Sequence, residues 1–249
     1  MRLEGKVAIV TGGASGFGRG IAEAFAREGA KVLIADIATE KAAKVAERIG
    51  EAAALVTADV SQKVDADRMI AAAVKRFGGL DILVNNAGIT HKNQSLLTVT
   101  EAEFDRIYAV NVKSIYLATL AAVPEMEKRG GGVIINMGST AGVRPRPGLT
   151  WYNGSKGAVI TLTKSMALEL APRKIRVNAI NPVMGETGLL EEFMGGPDTP
   201  ENRAKFLATI PLGRLSKASD IANAALFLAD PASELITGVA LEVDGGRCV

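Results

Sequence analysis

The sequence predicts a single α/β domain, residues 1–249, built on a doubly wound parallel sheet of about seven strands with helices on both faces. Three observations carry this prediction. Short β-rich runs alternate with longer stretches of helical spacing along the whole chain. Several of those runs are apolar at nearly every position, as strands are when helices cover both faces of a parallel sheet. The 48% hydrophobic content suffices for one full core, and no linker, low-complexity tract or internal repeat divides the chain.

The first strand is read over "KVAIVT" and runs into the glycine-rich "TGGASGFGRG", after which a helix begins near Arg19. "KVLIAD" is the second strand, ending in Asp36, and "EKAAKVAERIG" the helix that follows. "AALVTADV" and "LDILVNNA" are strands on either side of the helix "VDADRMIAAAVKRFG". The stretch from Glu101 to Gly130 reads as one long helix with Asn111 in its middle, where asparagine has poor propensity. "GVIINMGS" is the fifth strand, and "WYNGSKGAV" opens the next helix. "IRVNAINP" and "GVALEVDGG" are the last two strands. Between them, Gly185 to Asn202 is irregular, with glycine and proline interrupting helical patterning. A loop of that size in a compact domain is usually a lid or binding element, so a substrate-loop insertion is expected near 185–215. Right-handed crossovers link the strands.

Composition narrows the functional class. With 29 basic and 27 acidic residues, the net charge of +2 gives no field to gather nucleic acid or an anionic membrane. One cysteine, Cys248, and one histidine, His91, exclude an internal disulfide and leave no cluster with zinc spacing, so no metal is expected. No signal-peptide pattern opens the sequence, and no run approaches the ~20 apolar residues that span a bilayer. A cytoplasmic, reducing setting is the expectation.

The glycine-rich turn after the first strand has glycines at 12, 13, 16 and 18. Glycine permits positive φ and close backbone approach, and a helix N-terminus offers unpaired amides and positive partial charge to a pyrophosphate. Asp36, at the end of the second strand, stands where a carboxylate would accept from the adenosine ribose hydroxyls. It would repel a 2′-phosphate, which favours NAD over NADP. The bland alternative is a tight βα turn and an ordinary strand-end aspartate.

Tyr152 and Lys156 are i and i+4, so a helix puts both on one face. A phenol titrates near ~10, and lowering that by about three units takes roughly 4 kcal/mol. An ammonium about 4 Å away at an effective dielectric of ~20 supplies about that much. Ser139 closes the fifth strand, at the carboxyl edge where open α/β sheets bind ligands. A serine nucleophile is disfavoured, because His91 lies in another loop and no G-x-S-x-G surrounds Ser139.

Across nearly its whole length the chain resembles the short-chain dehydrogenase/reductase family, whose catalytic domain has the Rossmann fold. The resemblance rests on "TGGASGFG", "NNAG" (Asn85 to Gly88), Asn111, "GS" (Gly138, Ser139), "YNGSK" (Tyr152 to Lys156), "NP" (Asn181, Pro182) and "VDGG". It implies a catalytic group of Asn111, Ser139, Tyr152 and Lys156. Tyr152 would be the general acid/base, Ser139 would orient the substrate oxygen, and Lys156 would tune the phenol and hold the nicotinamide ribose. Asn111 would hold a water linking the lysine to solvent. Cofactor contacts are implied for Gly12, Ser15, Gly16, Phe17 and Gly18 at the phosphates and ribose, for Asp36 at the adenosine ribose, and for Asp59 and Val60 at the adenine. Asn86 would meet the adjoining ribose, and Gly185 and Thr187 the nicotinamide. The chain departs from the pattern at Val183, where glycine is usual, at Gly185 for an aliphatic, at Gly154 for alanine and at Phe17 for an aliphatic. The first two put the loop geometry in doubt; Gly154 costs up to about 1 kcal/mol of helix propensity and leaves room for a close neighbour.

The expected activity is hydride transfer between NAD(H) and a secondary alcohol or its ketone. A 3-oxoacyl-[acyl-carrier-protein] reductase using NADPH is the enzymatic rival, disfavoured by Asp36; a non-catalytic NAD-binding sensor is the third reading, disfavoured by the intact tetrad. Substrate contacts are expected from His91, Arg144, Arg146 and Trp151. The two arginines and the histidine would converge on an anionic group, against the alternative of solvated loop charges and a surface histidine. Apolar residues on more than one face of "LATLAAV" and "AVITLTKSMALEL" point to a homo-oligomer; the resemblance, to a family commonly tetrameric or dimeric, makes a tetramer the expected form ahead of a dimer.

Overall fold

The computed structural model describes residues 1–249. Seven parallel strands form one sheet in the order β3-β2-β1-β4-β5-β6-β7. In chain order they are β1 (Val7–Thr11), β2 (Lys31–Asp36), β3 (Ala53–Thr57), β4 (Ile82–Asn85), β5 (Gly132–Met137), β6 (Ile175–Pro182) and β7 (Ala240–Val243). The helices between them are α1 (Gly16–Arg27), α2 (Thr39–Ile49), α3 (Lys63–Phe77), α4 (Glu101–Tyr108), α5 (Ser114–Lys128), α6 (Thr150–Leu170), α7 (Leu190–Met194), α8 (Pro200–Leu207) and α9 (Ala218–Ala229). Strand order reverses between β1 and β4, where an open sheet leaves a crevice above its carboxyl edge.

The pleat explains why the strands read as continuous apolar runs. In β1, Ala8 and Val10 pack with Ile21, Phe25, Ile221 and Leu228 of α1 and α9 on one face. Val7 and Ile9 pack with Met69, Leu117, Ala122 and Ala167 of α3, α5 and α6 on the other. Alternate side chains of β1 therefore enter different layers, and every position of that strand is buried.

Two helical expectations are corrected. α4 and α5 do continue one another, but through a π-helical turn, Ala109–Lys113, with Asn111 buried inside it. A π turn inserts a residue and re-aims what it carries, a feature the helical spacing alone does not reveal. The combined run, Glu101–Lys128, is long and apolar enough to cross a bilayer, contrary to the sequence reading. Here Leu117, Ala118, Ala122 and Met126 cover the sheet instead. The second correction is the segment read as irregular: it holds α7 and α8, which fold over a small cluster of Val183, Leu190, Ile210 and Leu215. Thr199 caps α8 by accepting from the Asn202 amide, with Pro200 at its first position. That segment roofs the carboxyl edge of β5 and β6.

Candidate active site

A cavity of about 760 Å³ runs along the carboxyl edge of the sheet. Of the sequence-predicted residues, Gly12, Ser15, Gly16, Phe17, Asp36, Asp59, Val60, Asn86, Ser139, Arg144, Arg146, Tyr152, Lys156, Gly185 and Thr187 all line it. Gly18 and Asn111 sit just behind it, and His91 and Trp151 lie outside it.

At the β2 side the geometry fits a dinucleotide. Gly12 and Gly16 have φ of +63° and +51°, conformations that side chains resist. A Cβ on Gly18 would stand 2.8 Å from the Gly12 carbonyl carbon, so only glycine lets the helix start this close to the loop. Ser15 is the N-cap of α1 but its hydroxyl makes no capping bond, which leaves the first-turn amides for a ligand. Thr11 Oγ accepts from the amides of Asn86 and Ala87, at 3.0 Å each, and so ties the glycine loop to "NNAG". The Asn86 side-chain amide donates to Thr11 O and Gly12 O, which leaves its Oδ1 and main chain, rather than its N–H groups, for the expected ribose. Asp36 accepts from Ala14 N at 2.9 Å and from Ala38 N at 2.8 Å, one bond per oxygen. Each oxygen keeps a further lone pair, and the neighbours Ile37 and Ala38 offer no cation to a 2′-phosphate.

At the β5 side lie the expected catalytic side chains. Tyr152 and Lys156 share one face of α6, both buried, with the ammonium 5.8 Å from the phenol ring centroid. Lys156 Nζ donates to Met137 O at 2.8 Å, and burial pulls its pKa down to about 8. Gly88 lies beside both groups: a Cβ there would stand 3.4 Å from Lys156 Nζ and from Asn111 Oδ1, an ordinary contact distance. Ser139 Oγ accepts from Ala141 N at 3.1 Å, and this capping bond fixes the turn that follows β5.

The expectation that the lysine lowers the phenol pKa is not met in this state. Burial pushes Tyr152 up to about 12, and the groups that pull it back are the Ser139 hydroxyl and the Arg146 guanidinium. Lys156 is held at Met137 O with its ammonium 5.8 Å from the ring centroid, and desolvation of the phenolate wins. Asn111 is tied into the fold by its side chain. Its Oδ1 accepts from Ile89 N at 2.9 Å, and its Nδ2 donates to Ile89 O at 2.9 Å and Ser155 Oγ at 3.0 Å. With both amide hydrogens used, the side chain fastens the π turn to the loop after β4 and to α6, which leaves acceptor lone pairs, of Oδ1 and the main-chain carbonyl, for the expected water.

The substrate expectations divide. His91 is neither exposed nor a cavity residue: it is 4% exposed, and its Nδ1 bonds Lys92 O at 2.8 Å. Trp151 donates to Leu96 O at 3.2 Å and packs edge-on against Phe104, so it braces α6 against α4 outside the cavity. Arg146 does enter the site: it donates to Phe193 O at 2.9 Å and lies over the Phe206 ring, 4.9 Å from its centroid. Arg144 donates to the carbonyl of Arg247, bringing the C-terminal tail to the wall. Phe206 and Arg247 went unnoticed in the sequence, because neither belongs to a motif and the fold-back that brings them here leaves no local pattern. Gly154 admits Tyr108, whose Oη would be 3.0 Å from a Cβ at that position.

Comparison with known proteins agrees with this geometry. Residues 12–247 match the family model described as enoyl-(acyl carrier protein) reductase. The 4-formylbenzenesulfonate dehydrogenase of Comamonas testosteroni is 51% identical, with 99% of each chain covered. The sorbitol dehydrogenase of Cereibacter sphaeroides is 41% identical, again with 99% of each covered. The crystal structure of a 3-ketoacyl-(acyl-carrier-protein) reductase from Brucella melitensis, complexed with NADH, superposes with a TM-score of 0.94 at 51% identity, covering 99% of this chain and 100% of that one. With the cavity, the fold and near end-to-end relatives in agreement, the chain belongs to the short-chain dehydrogenase/reductase family and is an NAD(P)-dependent oxidoreductase.

Proposed function

We propose that this enzyme moves a hydride between NAD(H) and an alcohol or its carbonyl partner, a secondary alcohol or ketone among them, with Tyr152 handling the proton. The observation that carries the reading is one cavity with Asp36 at one end and Ser139, Tyr152 and Lys156 at the other. When bound, the nicotinamide supplies the hydride or accepts it. The chain's own residues do the rest. Asp36 binds the adenosine ribose and rejects a 2′-phosphate, while the α1 amides and Gly12–Gly18 cradle the pyrophosphate. Ser139 holds the substrate oxygen against the phenol. Tyr152, protonated at neutral pH with its pKa near 12, donates a proton to that oxygen in reduction and regains it in oxidation. Lys156 sets the ribose and the phenol, and Asn111 positions the loop and α6 that carry them. The test is to assay the purified protein with NAD and NADP against secondary alcohols, polyols, hydroxy acids and aryl alcohols. NAD-linked turnover of at least one class is expected; cofactor binding without turnover across the panel overturns the reading in favour of a sensor.

A second reading, a 3-oxoacyl-[acyl-carrier-protein] reductase, is favoured by the name of the Brucella relative. Because that relative was crystallised with NADH, cofactor preference does not separate the two, and turnover of an acetoacetyl thioester does. A homo-oligomer is supported by the exposure of Tyr116 and Leu120 on α5 and Leu168 on α6; four copies rather than two is the form we propose from the family resemblance. Light scattering giving a monomer overturns it. A cytoplasmic setting is our proposal from composition: the single cysteine, Cys248, cannot form an internal disulfide, which fits a reducing compartment.

A further inference from the structure

We propose that the substrate is an aryl alcohol or aldehyde bearing a sulfonate or carboxylate, and that Arg146, assisted by Arg144, receives the anionic group. This rests on the redox reading above and adds to it the substrate class and a specificity-determining residue.

Charge is sorted along the cavity by strand order. Its cations are Arg106, Arg144, Arg146, Lys156, Lys205 and Arg247, none of them carried by the β2 or β3 side of the sheet. Its only carboxylates, Asp36 and Asp59, follow β2 and β3 at the adenosine end. The substrate half is therefore a cationic chamber with no acidic side chain in its wall. Arg146 is the cation built most firmly into it. Its Nη2 donates to Phe193 O and its guanidinium lies on Phe206, so it is held by neutral partners alone. No ion pair in the structure includes Arg144, Arg146, Lys205 or Arg247. Of the acidic residues of the overlying segment, Glu186 and Asp198 pair with Arg203 and Glu191 accepts from Asp198 N, and none of the segment's carboxylates, Glu192 and Glu201 included, lines the cavity. Of the five N–H donors of a guanidinium, Arg146 spends one, and a planar fork with free donors matches a sulfonate or carboxylate.

The walls between this cation and the reacting end are apolar and aromatic. Phe193 packs edge-on against Tyr152, with centroids 5.2 Å apart, and the same residue's carbonyl anchors Arg146. Leu149 and Phe206 complete the lining on that side. Arg146 is also near enough to Tyr152 for its charge to be felt by the phenol. A short, flat spacer is thus needed between the anion and the reacting carbon, which an arene supplies. A carrier-protein thioester has its phosphate many bonds from its carbonyl and suits this spacing poorly.

The test compares 4-(hydroxymethyl)benzenesulfonate and 4-(hydroxymethyl)benzoate with the neutral isostere 4-(hydroxymethyl)benzenesulfonamide, and measures binding of unreactive 4-methylbenzenesulfonate by calorimetry with NADH present. The parent should prefer the charged alcohols by about tenfold or more in kcat/KM, expressed in KM, and Arg146→Gln should erase most of that preference and of the calorimetric binding. Arg144→Gln should erase part of it, and serves alone if Arg146→Gln does not fold. Equal handling of charged and neutral alcohols by the parent, or equal loss for both in the folded variants, overturns the proposal while leaving the redox reading intact. Arg146-dependent binding of 4-methylbenzenesulfonate with no turnover of any alcohol upholds the anion site and overturns the redox reading.

Discussion

The ring of Phe17 occupies the space in which a Cβ on Gly185 would stand, with Phe17 Cε1 2.7 Å from that position. Two departures from the family pattern, an aromatic at 17 and a glycine at 185, are therefore one arrangement: the larger side chain on α1 fills what the loop after β6 gives up. Gly185 also pairs with Ser216, whose amide donates to Met184 O and whose carbonyl accepts from Glu186 N. The loop is thereby held beside the first turn of α1, and the doubt raised by Val183 and Gly185 is answered by packing.

From this follows a reciprocal effect. Gly185→Val alone should destabilise the protein by about 1–3 kcal/mol through overpacking and weaken NADH binding. Adding Phe17→Leu should restore much of both, a non-additive coupling of at least about 0.5 kcal/mol. Denaturation of the two single variants and the double variant checks it; additive losses mean the two positions do not share this space.

Asp36→Ala should weaken NADH by about tenfold or more, roughly 1.4 kcal/mol, and improve NADPH relative to NADH. The side chain also ties Ala14 N to Ala38 N across the glycine loop, so Asp36→Asn is the gentler control. Fluorescence titration with both cofactors reads the outcome. An unchanged ratio would remove Asp36 from cofactor selection.

Lys156 makes stability depend on pH in a stated direction. Its pKa is about 8 in the fold, against about 10.4 in the unfolded chain. Below pH 8 both states are charged and burial costs its full amount; from there to about 10.4 the unfolded chain holds more protons, so stability rises with pH. The total is at most about 3 kcal/mol. Thermal unfolding of Lys156→Met against the parent should show the variant's relative advantage shrinking from pH 7.5 to pH 10. A difference that does not vary with pH would show that the ammonium is not desolvated as described.

The sheet was legible because its signals are local: β6 lies where "IRVNAINP" was read, and the glycine turn and Asp36 come from one βα unit. β3 stops at Thr57 rather than Val60, since Ala58 to Val60 leave the ladder for the cavity rim. The π turn at Asn111 was hidden because an inserted residue leaves helical spacing nearly unchanged. α7 and α8 were hidden because each is short and bounded by glycine or proline, and their stability is tertiary. His91 looked like a loop charge, and its burial depends on packing that no spacing records. One charge at one distance predicts an acidic phenol, and the burial that outweighs it is a property of the whole fold.

The central claim is that Tyr152 moves the substrate proton at a site whose other end binds NAD. Its most direct test is single-turnover hydride transfer by Tyr152→Phe, with NADH affinity measured on the same sample. A fall in turnover of about a thousandfold with NADH binding kept within about threefold is the predicted result. Turnover within about tenfold of the parent contradicts the account.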